Sequence, residues 1–529
     1  MRVIIFILFL SVFSFDLTAD DDYKRNINAD IIHYEFAVSV NDSTDRIEGR
    51  SSITVKFLNP VDFISFDLSN KDSTGRGMIV SDVSVNSESV KWSHEANRLT
   101  IYFNRQIKTN DTLIFDIGYR GIPSDGLIIS ENKFGNRTFF ADHWPDRAHN
   151  YLPCIDHPYD KASVDFIITA PSEYKVVASG IMTEEALIQG NTTITHWHES
   201  VPLPTKVMAF GVADFSVQST GIVNNITVSS WVFPENRNEG FSDYSVAVKP
   251  LEYYRTLIGD YPYQKLANVQ SKTIYGGLEN AGTIFYSENS VTGLGRAEGL
   301  IAHEIAHQWF GNCVTESDWH HIWLSEGFAT YLTSMYFESF EGKERLKKDM
   351  ISARNRVLRY SEQNKKPVID TAVSDYMKLL NPNSYQKGAW VLHMLRHEVG
   401  DEVFTDGLKL FYIRYNNSNV DTDGFRNVME EVSHKNLSKF FNQWLRTAGE
   451  PELLITQKKL KKKVTEITIE QKQENLFRFD IELLIKASTD EFIKKVSIDE
   501  RVTKFVIRSG NIVDIIPDPN VLLLFKYTE

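Results

Sequence analysis

The chain has 529 residues, 42% apolar and 24% charged, and a net charge of −13. That length exceeds one ordinary hydrophobic core and calls for several domains. The acidic balance argues against a nucleic-acid surface, which needs clustered Lys and Arg. Two cysteines, Cys154 and Cys313, are too few for a disulfide framework.

Arg2 opens the chain ahead of an apolar run from Val3 to Phe15, too short to span a bilayer comfortably, with Ala19 before the acidic stretch Asp20–Asp22. This pattern predicts a signal peptide over residues 1–19 and an exported mature chain, periplasmic or secreted, with no stable membrane insertion once the leader is removed. From His33 the sequence alternates. Tyr34, Phe36, Val38 and Val40 share one face of a strand, a polar turn follows, and Ile47, Ile53, Val55 and Phe57 share a face of the next. Period-two runs continue to about Phe215, so residues 20–216 read as a β-domain, a sandwich or saddle of mixed sheets.

Residues 217–450 change character, and helical periodicity dominates from about Tyr244 to Arg446. Val391–Val399 and Phe440–Leu445 read as helices, the second ended by Gly449-Glu450-Pro451. Alternation returns over residues 451–529, which predict a small β-sandwich. Lys458–Lys463 reads as the solvated edge of one of its strands. The two cysteines are compatible with one bridge or with two separate buried thiols.

The chemistry concentrates in the helical middle. His303-Glu304-Ile-Ala-His307 places two imidazoles four positions apart, on one face of a helix and within reach of one metal ion. Glu304, beside that ion, can accept a proton from an activated water. Glu326 follows nineteen residues after His307, in Trp323-Leu-Ser-Glu-Gly-Phe-Ala-Thr-Tyr-Leu, a second largely buried helix through about Phe337. Two histidines and a glutamate are a set that catalytic zinc uses, one ion per chain, whereas structural zinc sites are closed by four ligands and usually contain cysteine.

Together with Gly276-Gly277-Leu278-Glu279-Asn280, Tyr385-Gln-Lys-Gly-Ala and Pro153-Cys154-Ile-Asp156-His-Pro158, these motifs make the chain resemble the aminopeptidase N and leukotriene hydrolase family of gluzincin metallopeptidases. The resemblance implies a multidomain α+β architecture: an N-terminal β-saddle, a thermolysin-like, mostly helical catalytic domain and a small C-terminal β-sandwich. Many members add a large helical domain that closes over the site, and this chain ends where it would begin. That predicts a more open cleft, or one covered by a second subunit; the oligomeric state is not legible.

By the same resemblance, Gly276, Gly277, Glu279 and Asn280 bind the substrate, a peptide with a free N-terminus, and Glu279 takes its α-ammonium group. Tyr385 stabilises the oxyanion. Asp142, in Phe140-Ala-Asp-His-Trp, falls where many relatives place a glutamine that helps hold the amine. The competing readings are a thermolysin-type endopeptidase with the same ligands and an inactive peptide-binding protein on the same fold. A metzincin would want Gly at Phe310 and His at Cys313.

Overall fold

The computed structural model describes residues 21–528 apart from positions 189 and 462, so the expected leader lies outside the described residues. Strands Ala29–Ser39 and Ile47–Phe57 form the antiparallel pair that the alternation predicts, and every apolar residue of the two predicted faces is buried. They lie at the centre of an eight-stranded mixed sheet. A three-stranded and a four-stranded sheet complete this β-rich part, whose helical content is limited to short 3₁₀ turns.

The next part is less purely helical than its sequence predicts. Strands Ser216–Val223, Ile226–Val232, Lys265–Ser271, Gly277–Leu278 and Thr283–Ser287 form a five-stranded sheet ahead of the metal motif. Its central strand, Lys265–Ser271, runs parallel to both neighbours and is buried along nearly its whole length. A strand covered on both faces has no polar side to alternate with, so period two is absent from its sequence. Gly277–Leu278 forms the edge of this sheet, paired only with Phe285 and Tyr286.

Beyond the sheet come helices Glu298–His307, Trp323–Glu341, Lys343–Ser361, Gly388–Val399, Asp401–Tyr415 and Thr422–Ser433. Phe310, Phe328, Phe411 and Phe425 pack ring on ring behind the first two, at centroid separations of 4.9–5.9 Å. Each fully buried aromatic ring contributes about 1.5–3 kcal/mol, so this cluster is a rigid backing for whatever those helices present.

The last eighty residues form a four-stranded and a three-stranded sheet. They dock on the helices through Arg354, which donates to Asp518 and to the Leu523 carbonyl at 2.6 Å each. The buried Lys387 ammonium holds the chain just ahead of these sheets by donating to the Gly449 carbonyl at 2.8 Å. Within strand Glu452–Lys461, only Glu452–Leu454 pair with the C-terminal strand, which leaves Lys458–Lys461 on an open, exposed edge. Cys154 and Cys313 are both buried and unbridged. No helix among the described residues is long and apolar enough to cross a membrane.

Candidate active site

His303 and His307 lie on one face of helix Glu298–His307, and Glu326 lies in the first turn of helix Trp323–Glu341. Their facing atoms converge: His303 Nε2 is 3.1 Å from His307 Nε2 and 3.3 Å from Glu326 Oε2, and His307 Nε2 is 3.4 Å from the same oxygen. Bonds of about 2.0–2.2 Å to a tetrahedral ion would set such atoms about 3.3–3.5 Å apart, so the donor set fits zinc in chemistry and in spacing. Burial opposes charge on every member of the trio. Even so, the Glu326 carboxylate lifts His307 to about 9, and the two imidazoles hold Glu326 below the usual carboxylate range.

The chain after His307 turns back through Gly311 at φ +122°, where a Cβ would stand 2.2 Å from Ser325 Oγ and 3.0 Å from His307 Nδ1. Glycine is needed for that backbone and for that space. The close turn brings the Ser325 hydroxyl to 3.0 Å from His307 Nδ1. An acceptor on Nδ1 fixes the ring and leaves Nε2 pointing at the metal position.

Tyr385 enters from a π-helical turn, Asn383–Lys387, just ahead of helix Gly388–Val399. Such a turn inserts an extra residue per turn and re-aims a side chain, and π-turns are frequent at functional sites. The placement depends on two glycines. A Cβ on Gly327 would lie 2.9 Å from Gly388 Cα, and one on Gly388 would lie 3.0 Å from Gly327 Cα. The two helices therefore cross backbone against backbone, one residue after Glu326 and three after Tyr385. The Tyr385 ring stacks on His303, with centroids 6.1 Å apart. Burial and the adjacent Glu326 push its phenol well above the ordinary tyrosine range, so it keeps its proton.

Glu304 is buried on the same helix, and its carboxyl is pushed well above the usual range by burial, with Glu279 and Glu326 adding and His307 opposing. A Cβ on Gly277 would meet Glu304 Oε1 at 2.3 Å, so only a glycine there lets the carboxylate lie against the edge strand.

The Gly276–Asn280 segment is held from outside. The Glu279 carbonyl accepts from Gln308 Nε2 at 2.8 Å and from Asn312 Nδ2 at 2.6 Å. Asn312 is itself fixed: its carbonyl and that of Cys313 accept from the half-buried Lys161 ammonium at 3.1 and 2.7 Å. Glu279 is only 5% exposed, yet its Oε1 has no hydrogen-bond partner within the protein.

A cavity of about 230 Å³ joins these groups, lined by Gly276, Gly277, Glu279, His303, Glu304, His307, Glu326 and Tyr385 among others. Two expectations end elsewhere. Asn280 does not line the cavity; its amide is buried behind the strand with neither polar atom partnered. Asp142 does not line it either. Its carboxylate is paired with Arg147 and accepts from Thr273 Oγ1 at 2.9 Å and Ile274 N at 3.2 Å, so it anchors the approach to the glycine pair.

Trp144, Tyr275, Leu300 and Leu380 are cavity walls that the motifs did not reveal. Trp144 closes the Asp142 run, Phe140-Ala-Asp-His-Trp, but the sequence gives no sign that its ring turns inward.

Comparison with known proteins agrees with this arrangement. The Peptidase M1 N-terminal domain matches residues 31–207 and the Peptidase family M1 domain matches residues 243–444. Glutamyl aminopeptidase of Bitis rhinoceros is 29% identical over 330 residues, 60% of this chain and 35% of its own length. Aminopeptidase 2, mitochondrial, of Saccharomyces cerevisiae is 25% identical over 459 residues, 80% of this chain and 47% of its own. The chain thus spans about a third to a half of the length of these curated relatives. In fold it is similar to Legionella pneumophila aminopeptidase A, solved in complex with aspartic acid, with a TM-score of 0.81 at 18% identity over 96% of this chain and 60% of that one. It is similar also to an M1 zinc metallopeptidase from Deinococcus radiodurans, with a TM-score of 0.67 at 24% identity over 79% of this chain and 93% of that one. With both family domains matched over most of its length, the chain belongs to peptidase family M1.

Proposed function

We propose that this chain is a zinc-dependent aminopeptidase that hydrolyses the first peptide bond of substrates with a free N-terminus. One observation carries the reading: a buried carboxylate oxygen of Glu279 without an internal partner borders the same small cavity as the His303, His307 and Glu326 set. A buried unpaired carboxylate is costly, and a substrate ammonium is the partner that would offset the cost.

Zinc held by His303, His307 and Glu326 supplies a Lewis acid and lowers the pKa of water toward neutrality. The remaining chemistry belongs to the chain. Glu279 receives the α-ammonium and fixes how far the substrate enters, so only its first peptide bond reaches the reacting groups. Glu304, in contact with the glycine strand, takes the proton of the attacking water and delivers it to the leaving amine. The Tyr385 hydroxyl, which burial keeps protonated, donates to the oxygen that gains charge as the carbonyl is attacked. The apolar run after Arg2 supports export, and N-terminal sequencing of secreted material should then begin near Asp20.

The decisive test pairs an unblocked peptide with its N-acetylated twin, with and without a chelator. Cleavage confined to the unblocked peptide, lost on chelation and restored by zinc, is expected. Equal cleavage of the two would favour an endopeptidase. Failure of the zinc-loaded protein to cleave either would favour a binding protein. Glu304→Gln should retain zinc and lose about a thousandfold in kcat.

A further inference from the structure

We infer that the pocket selects uncharged, apolar first residues and rejects acidic ones, although several relatives carry the name glutamyl aminopeptidase. The inference rests on the aminopeptidase reading and specifies its substrate. With the α-ammonium at Glu279 and the scissile carbonyl between the metal ligands and Tyr385, the wall left for the first side chain consists of Trp144, Tyr275, Leu278, Leu300 and Leu380.

These residues offer aromatic faces and aliphatic ends. The one polar group among them that lacks an internal partner is the Trp144 indole N–H, a neutral donor. The Tyr275 hydroxyl is taken by the Trp144 carbonyl at 3.2 Å. No lysine or arginine lines the cavity among the described residues, whereas three carboxylates do: Glu279, Glu304 and Glu326.

Arg147 is the cation that stands near this wall, its guanidinium 5.9 Å from the centre of the Tyr275 ring. It is already committed, to Asp125 at 3.0 Å, to Asp142, and through Nε to the Trp144 carbonyl at 2.8 Å. A glutamate or aspartate side chain against this wall would lose its water and find no free lysine or arginine there to pair with. A leucine, methionine or phenylalanine side chain would bury its whole apolar area instead.

The test compares leucyl, glutaminyl and glutamyl amides on the zinc-loaded full chain. Glutamine and glutamate match in shape, so their ratio reads charge alone. We expect kcat/KM for leucyl to exceed that for glutamyl about a hundredfold or more, with glutaminyl in between. Calorimetric binding of free leucine and glutamate should show the same order without any turnover. Glutamyl equal to or better than leucyl, in turnover or in binding, overturns the inference and leaves the aminopeptidase reading standing. Ordered binding with no hydrolysis would instead count against that reading and uphold this one. Leu380→Arg should narrow the leucyl-to-glutamyl ratio at least about tenfold; an unchanged ratio would mean the first side chain does not meet this wall.

Discussion

The metal-ligand region and the Glu279 segment face each other across one cavity and are built in opposite ways. The ligands sit on two helices, the second of which crosses the helix that follows Tyr385 at Gly327 and Gly388, with an aromatic cluster behind them, so their geometry comes from helix period and close packing. The Glu279 segment has almost no regular structure of its own. Its shape is imposed by side chains from elsewhere: Gln308 and Asn312 on its carbonyl, Asp142 on the residues before it, Lys161 behind Asn312. On the aminopeptidase reading, the contrast teaches that reaction geometry is intrinsic to packed helices, while substrate recognition is held by long-range hydrogen bonds. Damage to the first should lower kcat, and damage to the second should raise KM.

The strongest test of the contrast is at the helix crossing. Gly327→Ala puts a methyl group 2.9 Å from the Gly388 backbone, which must move. We expect kcat to fall at least about a hundredfold, because an ångström of misplacement costs that much, together with about 1–3 kcal/mol of stability. Near-normal kcat in kinetic assays would show that the crossing does not set the Glu326–Tyr385 geometry. Gly277→Ala probes a place where the two regions touch, since the new methyl would displace the Glu304 carboxylate. Here kcat should drop about ten- to a hundredfold with metal content unchanged by elemental analysis. A fall in zinc content would argue against a local effect.

Asn312→Ala removes one of the two donors on the Glu279 carbonyl. A lost buried hydrogen bond is worth about 1–1.5 kcal/mol, so KM should rise about five- to tenfold with kcat nearly constant. A drop confined to kcat would reverse the assignment of roles.

The smallest effect concerns Asp160, which precedes the scaffold lysine and is pushed up to about 8 by burial, with Asp30 adding. The folded state keeps this proton up to about pH 8, while the unfolded chain releases it near 3.9. Between those values the folded state binds more protons, so this residue's contribution to stability declines as pH rises through the window. Asp160→Asn should therefore raise the melting temperature by about 3 °C or more at pH 9 and leave it unchanged near pH 4. Equal curves at both pH values would mean the carboxyl is solvated.

The same contrast explains what could be read from the sequence. His303, His307 and Glu326 were legible because spacing on a helix converts directly into direction. The outer strands were legible because one face is wet. The strand Lys265–Ser271 was not, since burial on both faces erases the alternation. Asn280 sits in the glycine motif yet turns away from the cavity, and Asp142 spends its charge on Arg147 and on backbone. Trp144 and Leu380 come from segments more than two hundred residues apart, and nothing local links either to the metal motif.

Gln308 and Asn312 have a further consequence. Because both lie within five residues of His307 and grip the Glu279 backbone, on the proposed reading a single stretch of chain sets both where the bond is cut and where the substrate's end must rest. That stretch works as a fixed ruler. Any descendant that removes two residues at a time would have to relocate the amine anchor, since the short stretch from His307 to Asn312 fixes its distance from the imidazoles.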